Sequence, residues 1–146
     1  MNKIDSFSGP YRFLSNFYPA PVLLDNVLYP STEHAFQAAK TTGDRSAFLK
    51  GTPTDAKRLG RRVALRPDWE AIKIDVMLDL LRQKFNGGGL RTKLLATGDA
   101  ELIEGNMWGD RFWGVYRGVG ENHLGRLLMR VRAEIAAEDV KEGAAS

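Results

Sequence analysis

Residues 66 to 89, RPDWEAIKIDVMLDLLRQKFNGGG, restrict what this chain can fold into more than any other stretch. Trp69, Ile72, Val76, Met77, Leu80, Leu81 and Phe85 recur at three and four residues, the repeat of one broad apolar helix face. Asp68 is placed to cap its start, and Gly87 to Gly89 to end it. A face that wide has to be covered by the rest of the chain. With 146 residues the chain has the length of one domain able to bury a real core.

The covering elements can be read in order. Residues 7 to 21, FSGPYRFLSNFYPAP, predict an irregular segment whose clustered aromatic rings are buried. VLLDNVLYP then predicts a β-hairpin that turns at Asp25-Asn26, two residues that tolerate positive φ. Pro30 stops the second strand, and Ser31 or Thr32 can cap a helix beginning at Glu33. DRSAFLKG and TDAKRLGRR read as two short helices, LRTKLLATG as another, and AELIEGN as an alternating strand. A final helix is expected from about Asn122 to Glu138, with residues 139 to 146 as a frayed tail. The expected fold is α+β: a single, mainly helical domain over 1–146, with its core at about 7–135 and a small β-hairpin or sheet.

Composition excludes several chemistries. The chain has no cysteine, so disulfides, thiolate catalysis and cysteine-bound zinc are ruled out. His34 and His123 form no spaced ligand set, and no metal or other cofactor is expected. No stretch reaches 18 apolar residues and Met1 to Pro10 has no apolar signal core, so the expected setting is the cytoplasm, without a membrane. The net charge of +3 fits an anionic ligand such as a phosphate-bearing nucleotide, without demanding a long nucleic-acid footprint. Part of that excess lies in KRLGRR, 57 to 62, where a solvated helix end is the better reading and a phosphate-facing patch the other.

Two stretches could carry chemistry. In YPSTEHAFQAAK, 29 to 40, Glu33, Gln37 and Lys40 fall four and three apart, one polar stripe on a helix otherwise lined by Phe36 and alanines. Spacing alone favours solvated charges or a weak ion pair. In MWGDRFWGVYRGVGENHLGRLLMRVR, 107 to 132, glycines and two tryptophans precede an apolar helix, with Asn122 at its start. That pattern reads equally as a phosphate-approaching loop or as a glycine loop stiffened by core tryptophans.

Together, FLSNFYPAP, YPSTEHAFQAAK, KRLGRRVALRPDWEAIKIDVM, KLLATGDAELIE and DRFWGVYRGVGENHLGRLLMRVR follow the order and spacing of the NADAR family, or YbiA-like proteins. The chain resembles that family from Phe7 to Arg132. The resemblance implies a single-domain N-glycosidase without a metal requirement. Family activities include removal of ADP-ribose from guanine bases and cleavage of early riboflavin-pathway intermediates. The implied partner is therefore an ADP-ribose-bearing nucleotide or ADP-ribosylated nucleic acid; nothing in the residues bears on oligomeric state.

The resemblance also implies site residues. Glu33 and Lys40 stand at the family's Glu and Lys on the first helix, with Gln37 between them. Asn16 and Phe17 match its Asn-Phe, Trp69 the Trp of its DWE segment, Asp110, Trp113 and Gly114 its Asp-x-x-Trp-Gly turn, and Asn122 the Asn before its last helix. Tyr116 departs from the pattern, because members usually carry Gly there; a ring at this place would narrow the pocket or stack on a base.

Breaking an N-glycosidic bond builds positive charge at the anomeric carbon and negative charge on the departing base. Glu33 and Asp110 are the carboxylates in the two stretches, and a neutral Lys40 amine could capture the ring-opened sugar as a Schiff base. That route needs Lys40 desolvated, and Glu33 on the same face opposes loss of its proton. A phosphorylated ribosyl-amine of riboflavin synthesis as substrate, and a non-catalytic ADP-ribose binder, are the competing expectations.

Overall fold

The structure, a computed structural model, describes residues 2 to 145. It is α+β, with five α-helices and short strands paired two by two among the described residues. The chain divides into two compact units, Asn16–Lys84 and a second unit formed by the segments before and after it.

The Asn16–Lys84 unit opens with β2 (Pro19–Leu24) and β3 (Val27–Ser31), an antiparallel hairpin numbered after a terminal strand, β1 (Lys3–Ile4), of the other unit. Leu24 pairs with Val27, and the two-residue turn between them has φ of 48° at Asp25 and 67° at Asn26. Those angles match the right-handed twist of a tight hairpin, as the Asp-Asn dipeptide foretells. The free side of β2 is met by Gln83, which accepts from the Leu23 N–H at 2.7 Å and donates to the Leu23 carbonyl at 2.8 Å. The chain then enters α1 (Thr32–Ala38), whose cap is Ser31: its Oγ accepts from the His34 N–H at 3.2 Å. The stretch around DRSAFLKG forms only a 3-10 turn, Ser46–Leu49, rather than a helix. Helix α2 (Pro53–Gly60) begins with a capping box in which Thr52 and Asp55 satisfy each other's backbone N–H.

Helix α3 (Trp69–Lys84) is the long helix expected from its repeat, and Trp69, Met77, Leu80 and Leu81 are buried on it. Asp68 does not cap it with its side chain as expected. Both carboxylate oxygens are taken by the Arg66 guanidinium, at 2.6 and 3.1 Å. A two-pronged charged bond outcompetes a single cap. The glycines after α3 do not end it either: α3 stops at Lys84, and Gly87 caps the next helix.

In the other unit, β1 pairs in parallel with β4 (Glu101–Leu102), and β5 (Gly105–Asn106) with β6 (Val115–Tyr116). AELIEGN thus supplies two short strand pieces instead of one strand. Helices α4 (Gly88–Ala96) and α5 (His123–Ala145) pack together around Leu94, Leu128 and Val131. Residues 139–145, expected to fray, continue α5 beyond Glu138; Arg91 of α4 holds Glu138 and Asp139 at 3.1 and 2.6 Å. Ser146 lies outside the described residues. The aromatic N-terminal segment is buried only in part. Phe13 packs edge-on against Phe85 at 6.5 Å, while Tyr11 and Phe17 stay 39% and 40% exposed. The 3-10 turn Gly9–Leu14 directs Phe13 and Leu14 inward and leaves Tyr11 outside.

Candidate active site

Helix α1 is not a surface helix. All seven of its residues are buried, packed against α2, α3 and both strands of the hairpin. The alanines at 35, 38 and 39 let those neighbours approach, and Trp69 of α3 lies on Phe36 with ring centroids 5.0 Å apart. Trp69 is 4% exposed and acts here as packing that fixes α1 against α3. His34 is held at both ring nitrogens: Nε2 meets the Gly51 carbonyl at 3.0 Å and Nδ1 meets Ser31 Oγ at 2.6 Å. A carbonyl can only accept, so Nε2 carries the proton and Ser31 donates to Nδ1.

The polar stripe is therefore mostly inside the protein. Glu33 is 7% exposed, and its Oε1 accepts from Gln37 Nε2 at 2.8 Å. Gln37 is in turn fixed by Gly60, where any Cβ would overlap its carboxamide. Burying a carboxylate is costly without such partners, so the fold commits a donor to it. Lys40 lies just past the end of α1 in a tighter turn, its N–H donating to the Gln37 carbonyl at 3.2 Å. Burial pushes its amine below the ordinary lysine value. Glu33 pulls the other way, and Arg61, Lys57 and Lys73 each push it down further. Among the neighbouring charges Glu33 is the one that holds the proton on the amine.

Asn16 joins the same unit through its backbone, accepting the Glu33 N–H at 3.1 Å. Its side-chain Nδ2 faces the Met77 sulfur at 3.6 Å. Asn16 Oδ1, Thr32 Oγ1 and Gln37 Oε1 are buried with no hydrogen-bond partner. An unsatisfied buried polar atom costs about 1–3 kcal/mol. All three lie on α1 or on Asn16, whose carbonyl is bonded to its first turn. Thr32 escaped the sequence reading because a Thr beside a helix cap has an ordinary local job.

The residues from the glycine-rich stretch lie in the other unit and spend their polar groups on their own loop. Asp110 Oδ1 accepts from the Phe112 and Trp113 N–H groups at 3.0 and 2.9 Å, and Asn106 brackets its backbone at 2.8 and 3.0 Å. Trp113 is half-buried, edge-on to Phe112 at 4.9 Å. Gly114 is needed because a Cβ would overlap Glu104 and Asn106. The Tyr116 ring has the Arg111 and Arg117 guanidiniums each 5.1 Å from its centroid, so it is engaged within its own loop. Asn122 is not a helix cap of the usual kind. Its φ is 54°, and its side chain accepts from the Glu104 N–H at 3.0 Å and donates to the Leu102 carbonyl at 2.9 Å, tying the start of α5 to the end of β4.

Among the described residues no three His, Asp or Glu side chains cluster as a metal ion would require. No described helix is long and apolar enough to cross a membrane. An open cavity of about 460 Å³ in the second unit is lined by Lys3, Tyr11, Phe13, Lys93 and Thr97 among others, and by none of the residues singled out above.

Comparison with known proteins places these residues in context. The family model described as the NADAR domain matches residues 5–136, across both units. The N-glycosidase YbiA of Shigella flexneri serotype 5b is 39% identical over 140 residues, covering 91% of this chain and 87% of the relative. A riboflavin biosynthesis protein of Vibrio vulnificus is 40% identical over 132 residues, 86% of this chain but 36% of that larger protein. The NMR structure of YbiA from E. coli superposes with a TM-score of 0.82 at 37% identity, covering 96% of this chain and 89% of that one.

Proposed function

The chain belongs to the NADAR domain family, and from that premise we propose that it is an N-glycosidase that frees ADP-ribose from guanine in a nucleotide or nucleic acid. The relative named as an N-glycosidase supports the reaction class. The observation that carries the mechanism is the pairing, at one buried helix, of a carboxylate held by Gln37 with a lysine whose amine burial favours in its neutral form.

In this reading Lys40 is neutral from the outset, the form that burial favours. The ring opens as the ribose ring oxygen takes a proton from solvent, and the lone pair of the glycosidic nitrogen forms a C=N bond to the anomeric carbon. The Glu33 carboxylate stabilises the resulting cation. The Lys40 amine adds to that carbon and passes a proton to the base nitrogen. The base leaves with the electrons of its C–N bond as the lysine nitrogen forms the Schiff base. Water then adds while Glu33 takes its proton, the lysine is expelled and the sugar closes. The route requires a nitrogen able to form the transient C=N bond, as an exocyclic amine can. Asp110, the second carboxylate implied by the family resemblance, has Oδ1 already committed to its own turn. Asn16 and Gln37 supply acceptors for sugar or base donors, and Phe17 adds an exposed ring in the same unit.

A second reading, cleavage of a phosphorylated ribosyl-amine of riboflavin synthesis, draws on the 40% identity to the Vibrio vulnificus protein. Incubating the purified chain with ADP-ribosyl-guanine DNA and with the riboflavin intermediates, scored by mass spectrometry, separates them. Release of ADP-ribose from the DNA is expected. Cleavage of the riboflavin intermediates alone would establish the second reading, and ADP-ribose binding without turnover would make the chain a binder.

A further inference from the structure

The open cavity of about 460 Å³ lies within one unit, and no residue of the α1 site lines it. Its walls have three origins. β1 runs parallel to β4, held by the Glu101 N–H on the Asn2 carbonyl at 3.0 Å and the Ile103 N–H on the Ile4 carbonyl at 2.8 Å. Successive strand residues point to opposite faces, so Ile4 is buried and Lys3 exposed. The 3-10 turn brings Tyr11 and Phe13, and α4 with the residues after it brings Lys93, Ala96 and Ala100. Ile4, Phe13 and Ala100 are 8%, 4% and 4% exposed and give an apolar floor, while Tyr11 keeps 39% of its surface open.

The charge at the rim is of one sign. The Thr97 hydroxyl is already spent, donating to the Leu94 carbonyl at 2.6 Å and accepting from Arg132 at 2.9 Å. Lys93 extends over the Phe13 ring, its Nζ 5.8 Å from the centroid. Among the described residues neither Lys3 nor Lys93 has an ion-pair partner, and no acid lines the cavity. Glu101, opposite Lys3 in the β1–β4 register, is exposed and lies outside the lining. A planar ring gains from the apolar floor and the Phe13 and Tyr11 rings. An anionic group gains from the unpaired ammoniums. A neutral ring forgoes the second gain and a bare inorganic anion the first. Small-molecule pockets run from about 300 to 1,000 Å³, so this cavity suits one or two fused rings and not a polymer.

We propose that this cavity is a second ligand site, taking a small planar aromatic carboxylate with its ring against Phe13 and Tyr11 and its carboxylate on Lys3 and Lys93. The site shares no residue with the N-glycosidase reading and does not depend on it. A bound ligand joins β1, the 3-10 turn and α4, three pieces of one unit, and so stabilises the folded chain.

The test titrates the full chain with 2-naphthoate, with its uncharged isostere 2-naphthamide and with acetate, by calorimetry and by amide chemical shifts. 2-Naphthoate should bind, raise the melting temperature and shift the amides of Lys3, Tyr11, Lys93 and Thr97. 2-Naphthamide and acetate should each bind at least about tenfold more weakly, the scale of a lost charged contact or a lost ring. Lys93→Gln and Tyr11→Ala, both at exposed positions, should each weaken 2-naphthoate by about tenfold, with Lys93→Arg keeping most of the affinity. Absence of 2-naphthoate binding would overturn the proposal. So would 2-naphthamide binding equally well, affinity unchanged in Lys93→Gln, or shifts confined to the amides of α1.

Discussion

Glu33 and Lys40 are opposed at the level of single residues. The carboxylate raises the affinity of the amine for its proton, while burial and the neighbouring cations lower it. Replacing Glu33 by Gln removes the anion, so the Lys40 amine should lose its proton at lower pH and the rising limb of the pH–rate profile should move down. The same change should cost at least about 100-fold in kcat, the scale of a positioned charge stabiliser, with ADP-ribose binding kept. Calorimetry showing lost binding with normal residual turnover would make Glu33 a positioning group. Lys84 offers a second residue-scale test, independent of the site. It is buried near the Tyr18 ring, 5.8 Å from its centroid, and burial drops its amine from 10.5 to about 7. The unfolded chain keeps that proton up to about 10.5, so between 7 and 10.5 the unfolded state binds more protons. Stability should therefore rise with pH across that window and be lowest below it. Lys84→Met should flatten the rise, as read by chemical denaturation at several pH values across that window. An unchanged pH slope would contradict this.

Among the elements, α1 holds the account together through two small contacts. Ala35 and Ala38 let the neighbours close in, and Gly60 leaves room for the Gln37 carboxamide. Within a helix Ala is favoured over Gly by about 1 kcal/mol. Gly60→Ala should nevertheless lower the melting temperature and the turnover, because the new methyl displaces Gln37 and strips Glu33 of its donor. A melting temperature that rises with activity intact would show that Gln37 can move at no cost. The elements differ in how far they were legible. The Asp25-Asn26 hairpin and the long α3 follow from local rules: positive φ in one, a repeat of three and four in the other. The 3-10 turn at 46–49, the parallel pairs β1–β4 and β5–β6, and the extension of α5 do not, since they depend on partners distant in sequence. Arg66 taking the Asp68 carboxylate is a case of the same kind: a local cap signal lost to a stronger pair.

For the molecule as a whole, family membership and a buried α1 stripe point the same way. On spacing alone the stripe reads as solvated charges, and the family resemblance is what marks Glu33 and Lys40 as site residues; the structure adds that Glu33 and Gln37 are buried and Lys40 half-buried. The acceptors left unpaired on Asn16 and Gln37, and the cations on α2 and α3, come from packing and have no local sequence signal. Conversely, Asp110, Gly114 and Asn122, prominent in the sequence, are occupied in building their own loop. The central claim is that Lys40 forms a covalent Schiff base with the sugar. Borohydride added during turnover of ADP-ribosyl-guanine DNA, followed by digestion and mass spectrometry, reads it directly. The account predicts a reduced sugar adduct on Lys40, and neither adduct nor turnover in a folded Lys40→Ala. An adduct on another residue, or Lys40→Ala turning over at the wild-type rate, would contradict it.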